Sequence, residues 1–349
     1  MDLRAFLLWL SANSRLANDK PFIIAITGSI AKTSTKEAVG AVLKRAYGES
    51  QVRVGYGNLN TYLGLPMAIL GFKVDFYKQK ISWQWPFILL AAIWRSFTNK
   101  LPKYLVIEMG ADKPGDLAEL LEHITPDIGI ITLVGEAHLM NYESSEQLGE
   151  EKGNLAQATK PSGLVLLNRN DPFFKTHLKR SRAQVVEFEC PTAEIAHRVA
   201  ELVGKHLKID PKTIGEALLG DWRPAGRLQH ISGRYKVIDD SYNASPVSMR
   251  AALEELSKMP KPRVAILGSM LELGSQEVKF HEEVGIMAHQ LADKVIGVGE
   301  LAKHYKPDKW YPTSAEAADK VVAELPEAAS ILVKGSHGIR TDHIVEALH

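Results

Sequence analysis

Lys32 and Thr33 are the neighbouring pair in this 349-residue chain best suited to handling phosphate. They lie in P-F-I-I-A-I-T-G-S-I-A-K-T-S-T-K-E, residues 21–37, where an apolar run passes through small residues into helix-forming ones. A buried strand that feeds a small-residue loop and then a helix presents backbone N–H groups and a positive helix end to an anion. In that setting the Lys32 ammonium would reach the outer phosphates of a nucleotide, and the Thr33 hydroxyl would face Mg²⁺. The strict phosphate-loop pattern is not met, because Ile26 and Ala31 stand where it asks for glycine. An ordinary strand–turn–helix is the competing interpretation.

Further polar residues follow other apolar runs. Glu108 closes Y-L-V-I-E, and a carboxylate at a buried strand tip can hold Mg²⁺ or, equally, cap a helix or join a surface pair. His138 follows a later run in V-G-E-A-H-L-M-N-Y. Lys152 sits beside Glu150 and Glu151, which also suits a solvated helix face. N-R-N-D, residues 168–171, fits a turn or a base-binding loop. D-D-S-Y-N-A-S-P, residues 239–246, gathers two acids, a tyrosine and an asparagine in one turn, more than folding alone requires.

The elements that must position these residues alternate strand-like and helical patterns, predicting an α/β fold around mostly parallel sheets. Strands are expected at 22–26, 104–108, 128–133 and 164–168, with helices at 36–47, 115–123 and 145–159. A linker is expected near 220–227, and then a smaller doubly wound domain with strands at 235–238, 263–267, 294–298 and 331–333. Open sheets of this kind place ligands at the carboxyl ends of their strands, where Glu108, Asn168 and Asp240 fall. The expected domains are 1–224 and 225–349. The first would carry a short N-terminal helix and an apolar insertion near 72–102.

Composition narrows the class. A net charge of +1 gives no reason to invoke a nucleic acid partner. The single Cys190 excludes an intramolecular disulfide and a cysteine-cluster zinc site, and fits a reducing cytoplasm. The apolar run 83–97 is too short for a transmembrane span, which takes roughly 20 residues. A buried or partner-packed helix and a membrane-surface helix are both compatible with it.

Taken in order, the motifs resemble those of the Mur ligase family, from residue 21 to the end of the chain. They run T-G-S-I-A-K-T-S-T-K-E, G-N-L-N-T-Y-L-G-L-P, V-I-E-M-G-A, A-H-L, E-K-G, N-R-N-D, G-R, D-D-S-Y-N-A-S-P, L-E-L-G with a later His281, and L-V-K-G-S. The second and eighth favour the branch that joins D-alanyl-D-alanine to a UDP-N-acetylmuramoyl tripeptide. The resemblance implies a central P-loop ATPase-type domain followed by a smaller Rossmann-like domain. It also implies an ATP-dependent, ADP-forming amide ligase of peptidoglycan synthesis that works through an acyl phosphate.

By the same resemblance, Thr27, Gly28, Ser29, Ala31, Lys32, Thr33 and Ser34 form the ATP loop. Thr33 and Glu108 would hold one Mg²⁺, and His138 would help hold a second. Lys152 would carry a carbamate derived from CO₂, an anion that would bridge to the metal where an ammonium could not. Asn168 and Asn170 would lie near adenine, Arg227 near the phosphates and Asp240 near the ribose. Asn58 and Asn60 would face the muramoyl peptide, while Tyr242 and Asn243 would help place the incoming amine. Three positions depart from the family pattern: Ala31 and Ser269, and His337 where an arginine is usual. Ala31 is therefore expected to avoid positive φ. The family's N-terminal UDP-binding domain is expected to be missing, since about twenty residues precede the loop strand. Two alternatives stay open: a Mur-like ligase acting on a lipid-linked or other carboxylate, and a nucleotide-binding scaffold without catalysis.

Overall fold

The computed structural model describes residues 2–74, 84–135, 141–220 and 222–349. Two compact units divide the chain. The first comprises Met1–Gly135, Asn141–Cys190 and Glu194–Trp222, and the second is mainly Arg223–His349.

The first unit is built on a six-stranded sheet in the order β2-β3-β1-β4-β5-β6. Its strands are β1 (Phe22–Thr27), β2 (Val52–Val54), β3 (Tyr104–Glu108), β4 (Ile128–Ile131), β5 (Leu164–Asn168) and β6 (Gln184–Phe188). Every pairing is parallel. β1, β3, β4 and β5 are near-continuous apolar runs because helices cover both faces of a parallel sheet. The helices are α1 (Leu3–Asp19), α2 (Lys32–Tyr47), α3 (Gly64–Ile69), α4 (Trp85–Thr98), α5 (Asp116–Leu121), α6 (Ser145–Ala158), α7 (Phe174–Arg180), α8 (Ile195–His206) and α9 (Pro211–Leu219). The register sets Ile26 beside Glu108 and Thr27 beside Ile131, so the polar residues that end β1 and β3 emerge at one sheet edge.

The second unit holds another six-stranded sheet, ordered β11-β10-β9-β12-β8-β7. Its strands are β7 (Gln229–Ser232), β8 (Lys236–Asp240), β9 (Arg263–Gly268), β10 (Lys294–Val298), β11 (Lys309–Tyr311) and β12 (Ser330–Lys334). All pair in parallel except β7, which runs antiparallel to β8 at the edge. Its helices are α10 (Pro246–Ser257), α11 (Glu277–Leu291), α12 (Ser314–Val321) and α13 (Asp342–Ala347). One apolar cluster centred on Ile238, Leu253 and Leu332 packs on one side of this sheet, and another centred on Val237, Ile331 and Ile344 on the other. The two-layered core leaves the carboxyl ends of β8 and β12 side by side, with Lys334 in register with Asp240.

Candidate active site

The loop between β1 and α2 is closed by its own backbone. The N–H groups of Ser29 and Ile30 both donate to Leu133 O, at 2.7 and 3.3 Å. Thr132 Oγ1 donates to Ile30 O at 2.6 Å, and Thr27 Oγ1 to Met109 O at 2.9 Å. Gly28 is required here: at φ 137° a Cβ would come within 2.1 Å of Thr132 Oγ1. Ala31 adopts φ 61°, contrary to the sequence expectation. Tying Ser29 and Ile30 to one carbonyl leaves a single residue to turn the chain into α2, and that turn is left-handed. The first helical bond runs from Thr35 N to Ala31 O at 2.8 Å. The amides of the first turn, Thr33 and Ser34 among them, therefore have no intrahelical acceptor. Lys32 Nζ folds back to donate to Ser29 O at 3.3 Å.

Thr33, Glu108 and Asn60 meet although they come from three separate elements. Thr33 Oγ1 donates to Glu108 Oε2 at 2.7 Å, and Asn60 Nδ2 donates to Glu108 Oε1 at 2.8 Å. Glu108 is buried at the end of β3 rather than lying on the surface. The loop bearing Asn58 and Asn60 is braced internally by Asn60 N donating to Asn58 O at 2.8 Å. A residue that sequence reasoning passed over anchors this loop to α2. The buried Lys36 ammonium donates to Gly55 O at 2.5 Å and to Gly57 O at 2.8 Å. Its only sequence signal was a lysine one helical turn after Lys32. The Thr33 hydroxyl and the Glu108 carboxylate supply hard oxygen donors, with the Asn60 amide N–H orienting the carboxylate. Such oxygens suit Mg²⁺, which takes one or two carboxylates and completes its shell with water and phosphate. Among the described residues no group of three His, Cys, Asp or Glu gathers as an all-protein metal site. His138 lies outside the described residues.

Lys152 does not lie on a solvated face. It is buried in α6, with Nζ donating to Ala111 O at 3.3 Å. Burial, reinforced by the charge of Lys32, lowers its pKa to about 7, against the opposing pull of Asp112, Glu151 and Glu108. A large share of this amine is therefore neutral near pH 7, the form that is nucleophilic toward CO₂. Neighbouring Glu151 is buried too, and accepts from Leu117 N at 2.6 Å and Gly115 N at 3.1 Å at the start of α5. α6 is also closely packed elsewhere: a Cβ on Gly149 would lie 2.4 Å from the Phe173 ring.

The segment after β5 is a tight turn. Asn168 Oδ1 accepts from Asn170 N at 3.0 Å, and Asn170 Nδ2 donates to Cys190 O at 3.2 Å. Asn168 Nδ2 is buried with no hydrogen-bond partner among the described residues, an orphaned donor at the strand's carboxyl end. Asp171 braces the turn by accepting from Val134 N and Phe173 N, both at 2.7 Å.

A second polar cluster lies in the second unit. Asp239 accepts from Gly226 N at 3.1 Å and from Ser241 Oγ at 2.6 Å. Asp240 accepts from Leu228 N at 3.0 Å and from Lys334 Nζ at 2.5 Å. Burial raises the Asp240 pKa and the Lys334 ammonium opposes that rise. Lys334 also donates to Asn243 O at 2.8 Å, so it ties β12 to the turn after β8. The Arg227 guanidinium stacks 4.0 Å over the Tyr242 ring, which also packs on His337 at 5.3 Å. The main-chain N–H of Met270 donates to His281 Nε2 at 2.9 Å, while His281 Nδ1 lies 2.6 Å from Glu277 O. That arrangement holds a neutral imidazole, and burial lowers its pKa accordingly. Ser269 accepts from Ala302 N through Oγ at 3.1 Å.

Residues 26–213 match the Mur ligase middle domain, and residues 226–337 match the Mur ligase, glutamate ligase domain. The UDP-N-acetylmuramoyl-tripeptide–D-alanyl-D-alanine ligase of Rickettsia prowazekii is 26% identical over 383 residues, covering 94% of this chain and 78% of its own length. The Bacillus subtilis ligase of the same name is 26% identical, covering 93% and 75%. Among solved structures, MurF from Acinetobacter baumannii aligns at a TM-score of 0.82 and 24% identity, over 100% of this chain and 81% of its own. MurF ligase from Thermotoga maritima in complex with ADP also aligns at 0.82, with 22% identity over 99% and 84%. At these identities the solved structures speak for the fold.

Proposed function

Because the chain belongs to the Mur ligase family, we propose that it joins D-alanyl-D-alanine to a UDP-N-acetylmuramoyl tripeptide in peptidoglycan precursor synthesis. It is a MurF-like, ATP-dependent and ADP-forming ligase. The observation that carries the reading is the buried Glu108 carboxylate, gripped at once by Thr33 of the loop helix and Asn60 of the following loop.

In this reading the first turn of α2 and Lys32 bind the β- and γ-phosphates, aided by the loop from Thr27 to Ser34. Thr33 and Glu108 would hold Mg²⁺, His138 would serve a second ion, and bound Mg²⁺ supplies neutralisation of phosphate charge. The acceptor carboxylate attacks the γ-phosphorus, the bond to the β-bridging oxygen breaks, and ADP leaves with that electron pair. The deprotonated amine of D-alanyl-D-alanine then attacks the acyl phosphate carbonyl, a nitrogen proton is lost to solvent, and inorganic phosphate departs from the tetrahedral intermediate with the electron pair of its bond to carbon. Lys32 stabilises the charge on the transferring phosphoryl group, which is the main demand of this chemistry.

Asn58 and Asn60 orient the acceptor, while Tyr242 and Asn243 place the amine. Asn168 and Asn170 contact adenine, a role supported by the orphaned Asn168 Nδ2. Arg227 meets phosphate and Asp240 the ribose, since a carboxylate oxygen carries two lone pairs and can take a hydroxyl beside its present donors. Lys152 carries a carbamate, supported by its neutral-leaning amine. The reading includes domains at 1–224 and 225–349, a cytoplasmic location, and a surface contact made by the apolar helix α4. Calorimetric titration of MgADP into Lys32→Ala tests the nucleotide assignment: affinity should fall about tenfold or more, and unchanged affinity would reject it.

A further inference from the structure

The outward face of α4 is apolar along its length, with Leu90, Trp94 and Phe97 exposed at 66%, 69% and 81%. The helix contains no acidic residue, and Arg95 is its single charge. α1 lies alongside and runs in the same direction, since Arg4 sits 4.9 Å over the Trp85 ring and Arg15 donates to Ser96 O at 3.5 Å. α1 adds exposed Leu3, Phe6 and Leu10. A paired-helix face this apolar is unusual on a protein surface and marks a contact site. No helix among the described residues is long and apolar enough to cross a membrane.

The charge beside this face selects its occupant. One flank of α4 forms an apolar groove of about 420 Å³ with Phe72. Phe72 is also a wall of a second groove, of about 630 Å³, lined by Lys44, Arg53, Lys73, Lys100 and Lys103, with Glu49 as the one acid among the described residues that line it. Glu49 is already paired with Lys44 at 3.0 Å, so the remaining four cations set the sign of the groove. Arg95 joins the two grooves by lying 4.0 Å over the Phe72 ring. Apolar side chains with a tryptophan, flanked by cations and nearly free of acids, match a bilayer surface with anionic headgroups.

We infer that the protein docks on anionic membrane lipid, with headgroups at the Arg53–Lys73–Lys100–Lys103 groove and the α1/α4 face in the acyl boundary. This rests on the proposed role of α4 as a contact surface and names what it contacts.

The test is co-sedimentation of the full chain with phosphatidylcholine vesicles, with and without phosphatidylglycerol, at low and high salt. Binding is expected to need phosphatidylglycerol and to weaken with salt. Trp94→Glu with Phe97→Glu should lower partitioning about tenfold or more, and Lys73→Glu with Lys100→Glu should remove the preference for phosphatidylglycerol. These side chains are exposed, so melting curves and MgADP affinity should match the parent and exclude misfolding. Absence of binding at low salt, or binding unaffected by Trp94→Glu, would overturn the proposal. So would a concentration-dependent dimer that Trp94→Glu disrupts while vesicles go unbound, which would assign the face to a second copy. Vesicle binding and ligation are separate readouts, so failure of one leaves the other standing.

Discussion

Lys152→Met should make the protein more stable and nearly inactive. In the folded chain the Lys152 pKa is lowered from 10.5 to about 7, chiefly by burial. The unfolded chain keeps its proton up to about 10.5, so between these values it binds more protons than the folded one, and stability rises with pH. The penalty on the folded state is therefore full below about pH 7 and vanishes above about 10.5. At 1.36 kcal/mol per unit it amounts to roughly 4 kcal/mol near neutrality, less about 1 kcal/mol for the hydrogen bond to Ala111 O that methionine forgoes. In CO₂-free buffer at pH 7, Lys152→Met should melt several degrees above the parent, and the two should converge as pH approaches 10.5. Bicarbonate should raise the parent's melting temperature, as CO₂ adds to the neutral Lys152 amine and a proton is released to leave a carbamate, and should leave the variant unchanged. A short carboxylic acid should partly restore turnover to Lys152→Ala by standing in for the carbamate. Equal pH slopes in parent and variant, with no bicarbonate response, would refute the reasoning.

Lys36→Met should strand the buried carbonyl of Gly55 and free the exposed Gly57 O to solvent, lowering stability by about 1–2 kcal/mol in a denaturant titration. The Asn60 loop would lose its anchor, so KM for the acceptor should rise about tenfold with MgADP affinity little changed; the reverse pattern would exclude a positioning role. Ala31→Val should cost about 1–2 kcal/mol, because a β-branched residue resists the left-handed conformation at φ 61°. Ala31→Gly should be near neutral, since relief of that strain is offset by the added freedom of the unfolded chain; a large loss of stability in Ala31→Gly would contradict this.

The central strands were readable because burial on both faces makes them apolar without interruption: β3 and β5 have the bounds expected for residues 104–108 and 164–168. The edge strands were not. β2 spans only three residues, and β6, Q-V-V-E-F, has a polar and partly exposed pattern that does not announce a strand. α2 begins at Lys32, four residues before the expected start, because its left-handed entry at Ala31 has no sequence mark in an alanine. At the site, residue types flagged Thr33 and Glu108, but their contact spans 75 positions and depends on strand order, which periodicity does not encode. Lys36 and Lys334 were hidden for a related reason. A buried lysine and a solvated one look alike in sequence, and only the carbonyls gathered around Gly55 and Asn243 distinguish them. Lys152 beside two glutamates illustrates the same limit, since its burial depends on the approach of the segment around Ala111, 41 positions away.

The most direct test of the account is a ligation assay with purified protein, ATP, Mg²⁺, D-alanyl-D-alanine and UDP-N-acetylmuramoyl tripeptide, read by mass spectrometry and ADP release. The predicted result is one dipeptide added per acceptor for each ADP released, with product formation requiring every component. No product over prolonged incubation with intact nucleotide binding, or ADP release indifferent to both acceptor and dipeptide, would contradict it.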